Sequence, residues 1–120
     1  MAGKRFLFLF CRPPDASERV RELLEQAMTA AAFDQPVSLL LLDDAVLHLR
    51  REPPPGQSQT APLSLLFQAL ELYDIRSIWV ERESLAERGL QPADLVLPVG
   101  TLVRGEVPAL LAAHDLVVSG

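Results

Sequence analysis

Residues Phe6 to Phe10 read Phe-Leu-Phe-Leu-Phe, an unbroken apolar run that stops short of the proline pair Pro13-Pro14. A strand with one wet face alternates apolar and polar residues; this run does not, so it predicts a strand covered on both faces, as in a parallel sheet. Such a strand needs helices above and below it. The chain supplies one at once, since Val20, Leu23, Leu24, Ala27, Met28 and Ala31 step by three and four residues behind a cap expected at Asp15 or Ser17.

The same unit then recurs. Val37 to Leu42 is a second apolar strand, and Asp43-Asp44 ends it and opens a short helix carrying Val46, Leu47 and Leu49. Between Arg51 and Pro62 stand Pro53, Pro54, Pro55 and Gly56, a composition that excludes ladder and helix alike and predicts a mobile loop over 51–62. Helical spacing returns over Leu63 to Leu72, followed by a strand from Ser77 to Val80 and a small helix from Ser84 to Arg88, with Gly89 as its left-handed cap. A fourth strand is expected at Leu95 to Val99, a last helix at Glu106 to Ala113 with Val107, Leu110 and Leu111 inward, and a fifth strand at Leu116 to Val118. This alternation predicts an α/β chain: a three-layer α/β/α sandwich on a mainly parallel five-stranded sheet, with residues 1–120 as a single domain.

Charge and length exclude several functions. Eleven basic residues against sixteen acidic ones give a net charge of -5, a poor basis for gripping a phosphate backbone, so any nucleic acid is left to a partner. At 120 residues there is no room for a two-domain enzyme. Lys4 and Arg5 precede only Phe6 to Cys11, too little for a signal sequence, and no apolar stretch nears the roughly 18 residues of a membrane span. A soluble cytoplasmic protein is expected. The glycines, at 3, 56, 89, 100, 105 and 120, form neither a dinucleotide fingerprint nor a P-loop, and Lys4 is the only lysine; no nucleotide or other cofactor is expected.

In open α/β sheets chemistry gathers at the carboxyl ends of the strands, which here means Cys11, Asp43, Asp44, Glu81 and Gly100. Cys11 is the sole cysteine, which excludes an internal disulfide, a Cys-x-x-Cys pair and a cysteine zinc cluster. It reads as a packed thiol or, more sharply, as a persulfide carrier whose thiolate Arg12 steadies ahead of a helix N-terminus. A phosphatase-type loop would need arginine where Ser17 stands. Asp43-Asp44 resembles half of a divalent-cation site, but the late lysine of receiver domains is missing and helix capping with solvated charge is the plainer reading. His48 and His114 have no partner at ligand spacing, so no metal site is expected. Arg50-Arg51 beside Glu52, and Arg82 among Glu81, Glu83 and Glu87, read as solvated faces or an interface rim. Tyr73 and Trp79, the only residues of their types, read as core or as contact surface.

One block is more specific. Leu72-Tyr73-Asp74-Ile75, Trp79-Val80, Ser84-Leu85 and Glu87-Arg88-Gly89-Leu90 resemble the TusC (DsrF) family of DsrE-like sulfur-relay proteins. The likeness extends to the first strand and to the closing His114-Asp115-Leu116-Val117-Val118, and it is weakest over Arg51 to Pro62, where only Gly56-Gln57 matches. The resemblance implies a DsrEFH-like fold and a TusBCD-type heterohexamer, two copies each of TusB-like, TusC-like and TusD-like chains. Upstream and downstream carriers would pass persulfide sulfur through it towards the 2-thiolation of tRNA wobble uridine. A dissimilatory sulfur-oxidation branch shares the same fold and motifs. In the sister TusD (DsrE) chain the acceptor cysteine follows the third strand, and counting back from Arg88-Gly89-Leu90 puts that position at Glu81. A carboxylate cannot carry a persulfide, so the resemblance implies a non-catalytic subunit, with Tyr73, Trp79, Glu81 and Arg82 as candidate interface residues. Two rivals stand beside it: a sulfurtransferase using Cys11, and a free-standing homo-oligomeric DsrE-like binding protein.

Overall fold

The apolar runs do become strands. In the computed structural model, which describes residues 3–59 and 61–120, strand β1 (Phe6–Phe10) is interior to the sheet and pairs in parallel with β2 (Val37–Leu41) on one side and β5 (Leu116–Ser119) on the other. Beyond β2 lie β3 (Ser77–Glu81) and β4 (Gly100–Leu102), giving the order β4-β3-β2-β1-β5 with every ladder parallel. Met1, Ala2 and, within the expected loop, Thr60 lie outside the described residues.

Period-two geometry divides the side chains between two faces. On the first face Phe8, Phe10, Leu39, Leu41, Ile78 and Val80 form the main core with α1 (Ser17–Ala32), which buries Val20, Leu23, Leu24, Ala27 and Met28. Each fully buried Phe or Leu contributes about 1.5–3 kcal/mol. The 3-10 turn Asp43–Leu49, helix α2 (Ser64–Gln68) with its 3-10 continuation Ala69–Tyr73, and α3 (Arg82–Glu87) complete that layer. On the second face Leu7, Leu40 and Leu102 are covered by Val107, Leu110 and Leu111 of the six-residue α4 (Val107–Ala112). The two sides follow from right-handed crossovers: β1 to β4 advance one way across the sheet, whereas the return from β4 to β5 runs back past it.

Three expectations need correction. Leu95 to Val99 is not a strand. Leu95 is buried by an isolated antiparallel bridge to Arg50, the Val96 N–H donates to the Leu49 carbonyl (2.8 Å), and an Arg51 guanidinium N–H donates to the Leu95 carbonyl (3.0 Å). The segment is apolar because it packs on the core, and Pro98, with no N–H to give, keeps it out of the ladder. The strand starts two residues after Pro98, at Gly100. Neither Asp15 nor Ser17 caps α1 through its side chain; a 3-10 turn, Pro14–Ala16, leads into it. Nor does Asp43 or Asp44 cap the turn that it begins. Asp43 instead takes a left-handed φ of 52°, which its short side chain tolerates. Gly89 closes α3 with a φ of 67°, as its sequence position requires.

Gly100 has a steric role. A Cβ there would lie 2.7 Å from two ring carbons of Trp79, its partner in the β3–β4 register. The indole therefore lies across the glycine on the second face. Gly100→Ala should force the ring away, shifting tryptophan emission to the red and costing about 1–3 kcal/mol of stability in urea unfolding; an unchanged emission maximum would contradict this packing.

Candidate functional site

Glu81 is the last residue of β3 and passes directly into α3, while β4 ends beside it and continues through Val103 to Arg104. The chain leaves β3 towards the first face and leaves β4, through Arg104–Glu106 and α4, towards the second. Adjacent strands whose connections diverge in this way open a crevice at their carboxyl ends, the usual place for a site in an open α/β sheet. Here the crevice holds an ion pair.

Glu81 is only 3% exposed. Arg104 Nε donates to Oε2 (3.1 Å) and Nη2 to Oε1 (2.9 Å), the two-pronged geometry that a guanidinium offers a carboxylate. Ser84, one helical turn on and fully buried, donates its hydroxyl to Oε1 (2.6 Å) and accepts the Asp43 N–H (2.8 Å). The Arg104 bond, helped by Ser84 and opposed by burial, holds the Glu81 carboxyl below the usual glutamate range; the same pairing pushes the Arg104 guanidinium further up. Around the pair, the Arg104 N–H donates to the Glu83 carboxylate (2.9 Å), Arg104 Nη2 lies 3.4 Å from Glu87, and Arg88 joins Asp44 (2.9 Å) to the Ser84 carbonyl (3.0 Å).

The charge cluster read as a solvated face is thus partly an internal network. Arg82 is exposed on its rim, whereas Glu81 and Ser84 are buried. Of the five positions sought at strand carboxyl ends, Cys11, Asp43, Asp44 and Glu81 are there. Gly100 is not, because it begins β4 rather than ending a strand. Arg104 was missed; its partner lies 23 residues away, and only the β3–β4 ladder brings them together. The Glu81/Ser84 spacing, a carboxylate and a hydroxyl three apart where a strand meets a helix, was the one readable signal of this network.

Cys11 is exposed just beyond β1. Partial burial of the thiol group, then the charges of Asp43 and Glu81, push its pKa up, against a smaller downward pull from Arg12. A thiol held protonated is a poor nucleophile and a poor sulfur acceptor. His48 is fully buried with its ring 5.5 Å from that of Phe67. Its Nε2 lies 3.0 Å from the Arg12 carbonyl, which can only accept, so Nε2 carries the proton and Nδ1 is left without a partner. Among the described residues no three His, Cys, Asp or Glu side chains are grouped to hold a metal ion. Tyr73 is 42% exposed at the end of its 3-10 turn, and Trp79 is half-buried with its indole N–H donating to Ser77 (3.1 Å). No helix among the described residues is long and apolar enough to cross a membrane.

The DsrE/DsrF-like family model matches residues 4–119. A Protein TusC homolog of Pseudomonas aeruginosa is 33% identical over 98% of both chains. The intracellular sulfur oxidation protein DsrF of Allochromatium vinosum is 38% identical over 78% of this chain and 68% of its own. Protein TusC of Klebsiella pneumoniae is 31% identical over 96% of this chain and 98% of its own. In structure, the ychN protein from E. coli superposes with a TM-score of 0.76 at 18% identity, covering 98% of this chain and all of that one, a likeness of fold alone. With the family model spanning nearly every residue, TusC relatives matching over almost their whole length and a DsrF relative over 78% of this chain, the chain belongs to the DsrE/DsrF-like family, in its TusC (DsrF) group.

Proposed function

We propose that the chain is a non-catalytic subunit of a cytoplasmic sulfur-relay assembly, built with TusB-like and TusD-like sister chains as a dimer of heterotrimers. The assembly serves persulfide transfer towards 2-thiolation of the tRNA wobble uridine, between upstream and downstream sulfur carriers, and this chain touches no nucleic acid itself. The observation that carries the reading is Glu81. At the place assigned by resemblance to the sister chain's acceptor cysteine, this chain has a carboxylate closed by Arg104 and Ser84.

Sulfur transfer requires a thiolate to attack the outer sulfur of a donor persulfide, forming a new S–S bond as the donor thiolate leaves. Glu81 has no sulfur, and partial burial, then the charges of Asp43 and Glu81, push the Cys11 pKa up and so disfavour its thiolate. What the pair does instead is hold β3, β4 and α3 in one arrangement at the crevice. Exposed apolar side chains support burial against partners: Leu65 and Leu72 are 79% and 85% exposed, seven residues apart on α2 and its continuation. Tyr73 and Arg82 are exposed and suited to direct contact, whereas Trp79 is half-buried and Glu81 buried.

Native mass spectrometry of the tagged chain, purified from its own cell without reductant, tests this. The expected result is a complex with two sister chains in equal ratio and any persulfide adduct, about 32 Da, on a sister chain. A lone homo-oligomer would overturn the assembly, and an adduct on this chain that Cys11→Ser abolishes would overturn the non-catalytic role.

A further inference from the structure

At the opposite end of the sheet, where the strands begin, the second face carries polar groups that neither the core nor the ion pair uses. Arg5, Ser38, Arg76, Ser77 and His114 line one open depression of about 330 Å3. They come from separate stretches of chain: the approach to β1, the body of β2, the start of β3 and the turn after α4. We propose that this depression is a binding site for a tetrahedral oxyanion, a phosphate or sulfate group, free or as a monoester.

Several polar groups line it together. Ser38 and Ser77 are register partners on adjacent strands, and their hydroxyl oxygens lie 2.9 Å apart. Ser77 Oγ also accepts the Trp79 indole N–H (3.1 Å). The pair spends one of its two hydroxyl protons internally, and among the described residues the other has no acceptor, so it is available to a ligand. His114 Nδ1 lies 2.8 Å from the Leu110 carbonyl and must be its donor, which leaves Nε2 as the ring atom open to the depression.

The guanidinium groups complete the set. Arg76 Nη1 bonds Asp74 Oδ1 (3.2 Å), and Arg5 Nε lies 3.8 Å from Asp115 Oδ2, which also accepts the Arg5 backbone N–H (2.7 Å). Asp74 engages one N–H of the Arg76 fork and Asp115 only approaches the Arg5 guanidinium, so both cations keep donors to spare. With side chains 59% and 65% exposed, both cations can turn those donors to an incoming anion. Asp74 also lines the depression and its charge opposes an anion, so a ligand must compete with that carboxylate for Arg76 through greater charge and more acceptor oxygens. A tetrahedral oxyanion meets that requirement, accepting from two guanidinium groups and a hydroxyl at once and, when monoprotonated, donating its own O–H to the Nε2 lone pair of His114.

Trp79, the only tryptophan, reports on the site through Ser77. The purified chain is titrated with sodium phosphate and, separately, glycerol phosphate, with ionic strength held constant by chloride; tryptophan emission and calorimetric heat are read together. Saturable binding is expected. Arg5→Gln and Arg76→Gln, both exposed positions, should each weaken it roughly tenfold, the order of one charge-assisted hydrogen bond, with unchanged circular dichroism. Tighter binding of glycerol phosphate would assign the site to monoesters, and equal binding to the free ion. Absence of heat with either ligand, a response that chloride reproduces, or full affinity in both variants would overturn the site.

Discussion

Acidification from about pH 7.5 to about pH 5.5 should destabilise the protein through one residue, His48. It is fully buried, and burial pushes its pKa below the ordinary 6.5, outweighing the hydrogen bond to the Arg12 carbonyl. Above pH 6.5 the residue is neutral in both folded and unfolded chains and contributes no slope. Below that, the unfolded chain takes up a proton that the folded chain refuses, so stability falls with pH until the depressed folded value is reached. The slope from this one group approaches about 1.4 kcal/mol per pH unit. A charged imidazole in place would add a second N–H, at Nδ1, facing no acceptor. His48→Leu should flatten the profile across this window while costing about 1 kcal/mol at neutral pH for the lost hydrogen bond. Urea unfolding at three pH values decides it: a wild-type profile flat from about pH 7 to pH 5, or a slope surviving in the variant, would rule out His48 as the source.

Arg104→Gln should have the other large effect, and it falls in a different pH range. The substitution leaves the Glu81 carboxylate buried with Ser84 as its remaining close donor, a loss of about 1–3 kcal/mol for the stranded group at neutral pH. In the wild type the depressed Glu81 pKa means that its stabilisation is present above the ordinary 4.5 and disappears as pH falls below it, through the folded value. In the variant the carboxyl pKa rises, so this part of the acid profile vanishes and the midpoint of acid unfolding moves to higher pH. The double variant Arg104→Gln/Glu81→Gln should recover most of the loss, because a neutral amide has no charge to strand. A double variant as unstable as the single one would mean that Arg104 acts through Glu83 or Glu87 rather than Glu81.

Both residues show where reading the sequence stops. His48 is a lone histidine amid apolar spacing, and its burial depends on Phe67 and the Arg12 carbonyl arriving from distant segments. Glu81 was legible as a carboxylate at a strand end, but its buried pair with Arg104 was not, because no local pattern links residues joined only by a ladder. The misplaced fourth strand has a related cause: Leu95 to Val99 is as apolar as a strand, and apolar periodicity records burial, not which partner supplies it.

What the sequence determined by itself was the parallel sheet. Phe6 to Phe10, Leu39 to Leu41 and Ile78 to Val80 are apolar without alternation, and only a sheet covered on both faces buries such runs. It also determined the left-handed stop at Gly89, since that φ is costly for residues other than glycine and the short polar Asn and Asp. Tertiary structure decided the order β4-β3-β2-β1-β5, and with it everything at the two ends of the sheet. Glu81 meets Arg104 because β3 and β4 are neighbours, and Ser38 meets Ser77 because β2 and β3 are. Local sequence sets which residues face in; only the pairing of strands sets which of them meet, because hydrogen-bonded ladders join residues by register and not by distance along the chain.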